Sequence, residues 1–398
     1  MERWRRDLTI LWVCGFVLQM GFSLIMPFLP LYLEDLGVHG PGVGMWSGVI
    51  YSSNFIVMAI VAPIWGAMSD RVGRKPMMLR SAFGMGAVVW LMGIATSPWQ
   101  LLIFRMLQGL TAGFMPATTA YMASAAPREK SGYALGLLAT GNVTGAILGP
   151  LAGGALAKVM GYRPIFFMTT ASCLIAGLGV LFLIREQYTP QIPQKGDGGF
   201  RQDLKLIRVY PVAGAMIIVL FMNMFSMLTA EPIISLYLQS LKAPAQWLEL
   251  LSGLVFSMTG LATLLVSPVV GRLSDSIGSK RLLVGCLSGA AVMYIVQGFA
   301  TATWQMVFMR FGLGIFTGGL MPAANGLIAR NTPRQVHGRI FGLTTAAIAL
   351  GNTAGPLVGG AISSTWGLRA VFPVTGLLLI LDIFLVQRSV RESAAVPT

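Results

Sequence analysis

Charge is scarce in this chain. Asp, Glu, Lys and Arg make up 11% of its 398 residues, against about 25% in a soluble domain. Acids are the scarcer sign, with 14 Asp and Glu to 28 Lys and Arg. Histidine and cysteine are rarer still, at two and three residues. His39 and His337 both sit near loops, so no histidine cluster is available for metal or acid–base chemistry. Cys14, Cys173 and Cys286 each fall inside an apolar segment. An odd, scattered set of that kind forms neither a disulfide framework nor a metal site, and it reads as small core residues. An enzyme embedded in the apolar segments needs a constellation of His, Asp, Glu or Cys there, and the sequence offers none. No small-residue cleavage pattern follows the first apolar run after its basic start, so that run is expected to be a spanning helix and not a removed signal peptide.

What fills the chain instead is hydrophobic sequence, 55% of all residues. It falls into segments of roughly 20 residues, the length of a helix that crosses a bilayer. Twelve spans are expected, at about 9–33, 45–68, 76–96, 99–122, 131–156 and 163–184, then about 211–238, 247–270, 281–299, 302–326, 338–362 and 368–387. Between the sixth and seventh, Gln187 to Phe200 is polar and rich in Pro and Gly, a linker composition, and the basic Arg201, Lys205 and Arg208 follow. The expected division is residues 1–186, a cytoplasmic linker over 187–208, and residues 209–398. With the N-terminus in the cytoplasm, only Lys158, Arg163, Lys242 and Arg369 fall outside, and Arg105 and Arg310 fall within helices. All other basic residues are then cytoplasmic, a bias strong enough to set orientation. The net charge of +14 is thereby explained by topology determinants facing an anionic leaflet, and nucleic acid is not an expected partner.

The chain also repeats itself. Pro63, Gly66, Ser69, Asp70, Gly73 and Lys75 return as Pro268, Gly271, Ser274, Asp275, Gly278 and Lys280, each 205 residues later. Pro27, Tyr32, Arg105 and Gly109 match Pro232, Tyr237, Arg310 and Gly314 at the same offset. Beyond the middle of the fourth span the offset becomes 206, as in Met115-Pro116 with Met321-Pro322 and Gly149-Pro150 with Gly355-Pro356. The expected fold is an all-α membrane protein: twelve transmembrane helices in two pseudo-symmetric six-helix bundles. Parallel repeats of this kind are a transporter architecture with its site at mid-membrane between the halves, and they suit alternating access better than a continuous pore.

Three motifs stand out. Gly66-Ala67-Met68-Ser69-Asp70-Arg71-Val72-Gly73-Arg74-Lys75 joins spans two and three; Gly66 suits close helix contact, Gly73 a tight turn, and Asp70 and Arg74 lie one helical turn apart. Asp70 could also face a neighbouring helix N-terminus, while Lys75 and Arg80 read as topology determinants. Arg105-Met106-Leu107-Gln108-Gly109 places a cation inside span four, where it needs a partner, a polar cavity or an outward snorkel. Gly141, Gly145, Gly149, Pro150, Gly153 and Gly154 form a small-residue stripe on span five, echoed by Gly351, Gly355-Pro356 and Gly359-Gly360.

On these motifs the chain resembles the major facilitator superfamily, and within it the twelve-helix drug:proton antiporters, over nearly its whole length. The resemblance implies that the Gly66–Lys75 loop latches the halves on the cytoplasmic side, with Asp70, Arg71 and Arg74 as gate residues and Asp275 as their reduced echo. Arg71 and Arg74 become Ser276 and Ser279 in the second copy. It implies proton coupling at Arg105, with structural anchoring the alternative there and the first choice for Arg310. It implies exchange, because the glycine stripe on span five marks antiporters.

Two acids fall inside spans. Asp382 lies near the cytoplasmic end of the last span and reads as a snorkelling end residue. Glu231 lies about twenty residues into span seven, and its counterpart in the first half is Met26. A carboxylate in low dielectric can take up and release a proton near neutral pH, and an ionisable group inside a span is a functional candidate by default. Glu231-x-x-x-Ser235-Leu236-Tyr237 is similar to an arrangement in relatives with a coupling glutamate; the second acid some of them carry falls here on Gly318. Gln108, Asn142 and Asn223, with Glu231, are the expected substrate contacts. The expected activity is proton-driven export of amphipathic cationic drugs, or, alternatively, export or flipping of an endogenous lipid or metabolite. No cofactor is expected beyond the proton gradient. The partners would be small-molecule drugs, protons and membrane lipid, the state a monomer, and the place a bacterial inner membrane with both termini cytoplasmic.

Overall fold

The computed structural model describes residues 3–186, 206–333 and 336–389; most of the 187–208 linker lies outside them. Among the described residues the chain is helical and has no strand. The first half runs α1 (Arg3–Ile25), α2 (Leu29–Asp35), α3 (Gly42–Val72), α4 (Arg74–Gly93), α5 (Pro98–Thr111), α6 (Phe114–Ala125), α7 (Ser131–Met160) and α8 (Tyr162–Leu183). The second runs α9 (Pro211–Ala230), α10 (Ile234–Ser240), α11 (Leu248–Ile277), α12 (Ser279–Gln297), α13 (Thr303–Asn331), α14 (His337–Thr365) and α15 (Leu368–Ser389).

Among the described residues, ten stretches are long and apolar enough to cross a membrane. Helix α4 and the α5–α6 pair complete the twelve spans. Arg74, Lys75 and Arg80 dilute the hydropathy of α4, and α5 and α6 are short because the fourth span is broken between them. Spans one and seven are also interrupted, each at the same place in the repeat. Three-residue 3₁₀ turns, Met26–Phe28 and Glu231–Ile233, join α1 to α2 and α9 to α10. Pro27 and Pro232 sit inside these turns; proline lacks the N–H of a helical ladder, and the tighter turn absorbs the interruption.

The break between α5 and α6 is not repeated. Its counterpart α13 is one helix of 29 residues. The shift of offset from 205 to 206 falls here: Gly109 and Met115 enclose one residue fewer than Gly314 and Met321. Losing one residue from an α-helix turns everything after it by about 100°. A chain that keeps the same packing faces on both sides must break between them, and it does so at Gly113, with φ +128, a conformation that favours glycine.

The glycine stripes explain the tightest packing. A Cβ on Gly141, Gly145, Gly149 or Gly153 would come 2.9, 2.6, 2.6 and 2.5 Å from the carbonyl oxygens of Trp12, Phe16, Met20 and Leu24. Two ridges with the same four-residue step therefore mesh, backbone against backbone, between α7 and α1. In the second half a Cβ on Gly351 or Gly355 would come 2.6 and 2.5 Å from Phe221 O and Phe225 O, and one on Gly359 would strike Thr229 O, so α14 lies on α9 in the same way.

The chain divides into two compact units. One comprises Met1–Gln194 with Ile234–Ser257, the other Lys195–Ile233 with Met258–Thr398. Segment 234–257 meets the rest of the first unit by close backbone packing, where a Cβ on Gly154 would lie 2.7 Å from Glu249 O, and by polar contacts. Ser235 donates to Pro27 O, Ser257 to Ile147 O at 2.6 Å, and Tyr162 to Glu249 Oε1 at 3.1 Å. Lys158 Nζ lies 3.5 Å from the centre of the Trp247 ring.

Candidate functional site

The loop between α3 and α4 is built as a turn with a reciprocal brace. Helix α3 ends at Gly73, with φ +108. Arg74 Nη1 reaches Asp70 Oδ1 at 2.5 Å and donates to Ser69 Oγ at 3.1 Å. The N-terminus of α4 is capped by Glu186, not by Asp70: Arg74 N and Lys75 N donate to Glu186 Oε1 and Oε2, both at 2.8 Å. Lys75 Nζ in return donates to Leu181 O and Ile184 O at 2.7 and 2.6 Å, at the C-terminus of α8. The two helix dipoles are thus each met by the opposite charge. Lys75 is therefore more than a topology determinant, and Glu186 is a residue that sequence reasoning missed, because nothing local distinguishes it from linker polarity. Arg71 is exposed. A Cβ on Gly66 would meet nothing within 4 Å, so the close helix contact expected there is absent. In the second copy Gly278 repeats the positive-φ turn, at +87, while the side chain of Asp275 lies outside the described residues.

Arg80 also departs from the expectation of a topology charge. It donates to Leu110 O and Ala112 O at 3.1 and 2.7 Å, the carbonyls released where α5 ends. Trp65 Nε1 shares Leu110 O at 2.9 Å, and Arg80 lies over the Trp65 ring at 3.8 Å. In the second half, where the helix is continuous, the counterparts of Arg80 and Trp65 are Gly285 and Val270.

Arg105 does not snorkel. It is 2% exposed and donates to Gln108 Oε1 at 2.7 Å and towards Met26 Sδ at 3.8 Å. Its guanidinium lies 5.5 Å from the Tyr51 ring centre. Asn54 Nδ2 completes the cluster through Arg105 O at 3.3 Å and Gln108 Oε1 at 3.5 Å. None of these partners is acidic. Gln108, expected to contact substrate, is held by Arg105.

The second half carries a buried cation of its own. Arg310 is 2% exposed, and its Nε and Nη2 have no hydrogen-bond partner. It interacts electrostatically with Glu231 and Tyr294. Glu231, half-buried, sits in the proline turn between α9 and α10. Gly318 is closely packed: a Cβ there would lie 3.2 Å from Thr263 Cα, so a side chain at this position would have to push the neighbouring backbone by a few tenths of an ångström. Asp382, expected to snorkel, is 2% exposed, with Oδ2 buried and unpartnered. Asn223 is buried on α9, and Asn142 Oδ1 is buried on α7 without a partner. Asp7, not singled out from sequence, is buried and accepts from Tyr121 OH at 2.8 Å. Among the described residues no three His, Cys, Asp or Glu side chains could together hold a metal ion.

Comparison with known proteins agrees with this anatomy. The sequence profile of the Major Facilitator Superfamily matches residues 11–251 and 216–397. The multidrug resistance protein MdtG of Enterobacter lignolyticus is 39% identical over 393 residues, covering 98% of this chain and 94% of that protein. MdtG of Salmonella typhimurium is 40% identical over 390 residues, covering 98% and 96%. Among solved structures, the human organic anion transporter MFSD10 (TETRAN) matches with a TM-score of 0.69 at 20% identity, over 97% of this chain and 100% of that one. The nucleoside transporter NupG matches with a TM-score of 0.76 at 14% identity, over 98% and 99%. At these identities the structural likeness is one of fold.

Proposed function

The chain belongs to the major facilitator superfamily of membrane transporters, and on that premise we propose that it is a proton-coupled antiporter exporting amphipathic cationic drugs from the bacterial cytoplasm by alternating access. It is a transporter and not an enzyme. The name of its relatives, multidrug resistance protein, supports drugs as the cargo. The observation that carries the coupling is Glu231: a carboxylate inside a span, in a turn where proline has opened the backbone. Proton and cationic drug would compete for that one carboxylate, so loading of either drives release of the other. Each elementary charge crossing the membrane exchanges about 2.3 kcal/mol per 100 mV. One proton in for one monovalent cation out therefore moves no net charge and is driven by the pH difference alone.

The two bundles, 1–186 and 209–398 joined by 187–208, are the bodies that would rock, with the Asp70–Arg74 loop as their gate. Asn142 and Asn223 remain candidate contacts for cargo. The cytoplasmic bias of Lys and Arg supports an inner-membrane protein with both termini inside; it is read as a monomer that needs no cofactor. The test is efflux of a fluorescent lipophilic cation from proteoliposomes under an imposed pH gradient. Wild type should move the dye against its gradient, and Glu231→Gln should retain only downhill exchange. Undiminished uphill, pH-dependent export by Glu231→Gln would sink the reading.

A further inference from the structure

The two halves treat their buried arginines differently. Backbone packing around the two sites is equivalent: a Cβ on Gly109 would strike Asn54 O, and one on Gly314 would strike Thr259 O, the matching position. The side chains around the arginines have been exchanged. In the first half Arg105 is served by Gln108, Asn54, Tyr51 and Met26. At the matching positions Arg310 finds Leu313, Thr259, Phe256 and Glu231. Val89 of the first half becomes Tyr294, which is buried with an unpartnered hydroxyl. The amides Gln108 and Asn54 have thus become Leu313 and Thr259, the thioether Met26 has become the acid Glu231, and the phenol has moved from the Tyr51 position, now Phe256, to Tyr294. The acid stands where Met26 places its sulfur 3.8 Å from Arg105.

We propose that Arg310, with Tyr294, is the internal counter-ion of Glu231, and that Arg105, to which coupling was first attributed, is an anchor of its own half. The inference deepens the proposed export and rests on it for its role in transport. A buried guanidinium with two idle donors is costly; an ionised Glu231 compensates its charge. A proton arriving on the carboxylate, or a cationic drug head engaging it, takes that compensation away. Arg310 therefore opposes both loadings and keeps either from being held too tightly to leave. Among the described residues the groups that interact electrostatically with Glu231 are Arg310 on α13 and Tyr294 on α12. Of the elements packed most closely on its turn, α9 has no titratable residue, α14 has His337 and Arg339 in its first turn, at the end remote from Gly359 where it meets α9, and the following α10 has Tyr237.

The test needs no substrate. In protein reconstituted in lipid, the infrared band of a protonated carboxyl is followed through a pH titration. A band that Glu231→Gln removes is expected in the wild type. Its midpoint should move to higher pH by about one unit or more in Arg310→Gln, the size of an arginine's effect on a neighbouring carboxylate. It should stay near wild type in Arg310→Lys, move less in Tyr294→Phe, and stay in place in Arg105→Gln. An unmoved midpoint in Arg310→Gln, an equal shift in Arg105→Gln, or no band sensitive to Glu231 overturns the proposal. If Arg310→Gln does not fold, Tyr294→Phe and Arg310→Lys decide the matter: the midpoint must shift in the first and hold in the second. A shifted band without uphill dye efflux by the wild type would keep the pair and refute the export reading; uphill efflux with an unmoved band would do the opposite.

Discussion

The guanidinium of Arg80 serves two carbonyls, Leu110 O and Ala112 O, that have lost their helical partners where α5 stops. Hydrogen bonds made by a charged group are worth about 1.5–3 kcal/mol each, less where they are exposed, as the one to Leu110 O is. Arg80→Met should therefore lower thermal stability by about 2–3 kcal/mol in detergent, whereas the unbroken helix of the second half does without such a clamp and has Gly285 at the matching position. A melting temperature unchanged by Arg80→Met would refute the clamp. Asp70 makes the opposite case. Its pair with Arg74 is close, at 2.5 Å, but the carboxylate is 46% exposed, and an exposed pair one turn apart contributes about 0.3–0.5 kcal/mol. Asp70→Asn should leave stability nearly unchanged yet cut dye efflux by about tenfold, a 1.4 kcal/mol effect, and far more than Asp275→Asn does. Equal losses in the two variants would argue against a gate in the first copy.

At the scale of elements, the glycine stripes were legible because their four-residue step is written in the sequence and mesh geometry follows from it. Gly149→Leu would drive a side chain into Met20 O, 2.6 Å from its Cβ, and overpacking costs about 1–3 kcal/mol or more. Gly66→Ala, with nothing within 4 Å, should be silent in the same thermal assay. The break of the fourth span was half legible. The offset change from 205 to 206 is visible in the letters, but an expected continuous helix over 99–122 ignored what one missing residue does to helical phase. Lengthening the first copy by one alanine after Thr111 should join α5 to α6 and make Arg80 dispensable for stability. Persistent dependence on Arg80 in that variant would show that the break has another cause. Glu186 and the clamping role of Arg80 were illegible because their partners are backbone carbonyls and amides, which every sequence has.

At the scale of the molecule, hydropathy and the repeat disclosed the twelve spans, since both are sums over many residues and tolerate local error. Orientation rests on the lysines and arginines and can be measured directly. The three native cysteines are all buried, so single cysteines at exposed Lys130 and Lys242 can be labelled without background. A membrane-impermeant maleimide added to intact cells should reach Lys242→Cys and miss Lys130→Cys; the reverse pattern would invert the assigned topology. The broken fourth span carries a consequence for synthesis. At 14 residues, α5 is about 21 Å long, short of the roughly 30 Å hydrocarbon core, and α4 begins with two cations and carries a third at Arg80. Neither is a strong signal to the insertion machinery when it leaves the ribosome. Arg80 can lose its water only when the open end of α5 is there to receive it. The hairpin of α4 with α5–α6 is therefore expected to enter the bilayer together, between the long apolar α3 and α7, and a ribosome halted after α4 should leave that helix at the interface.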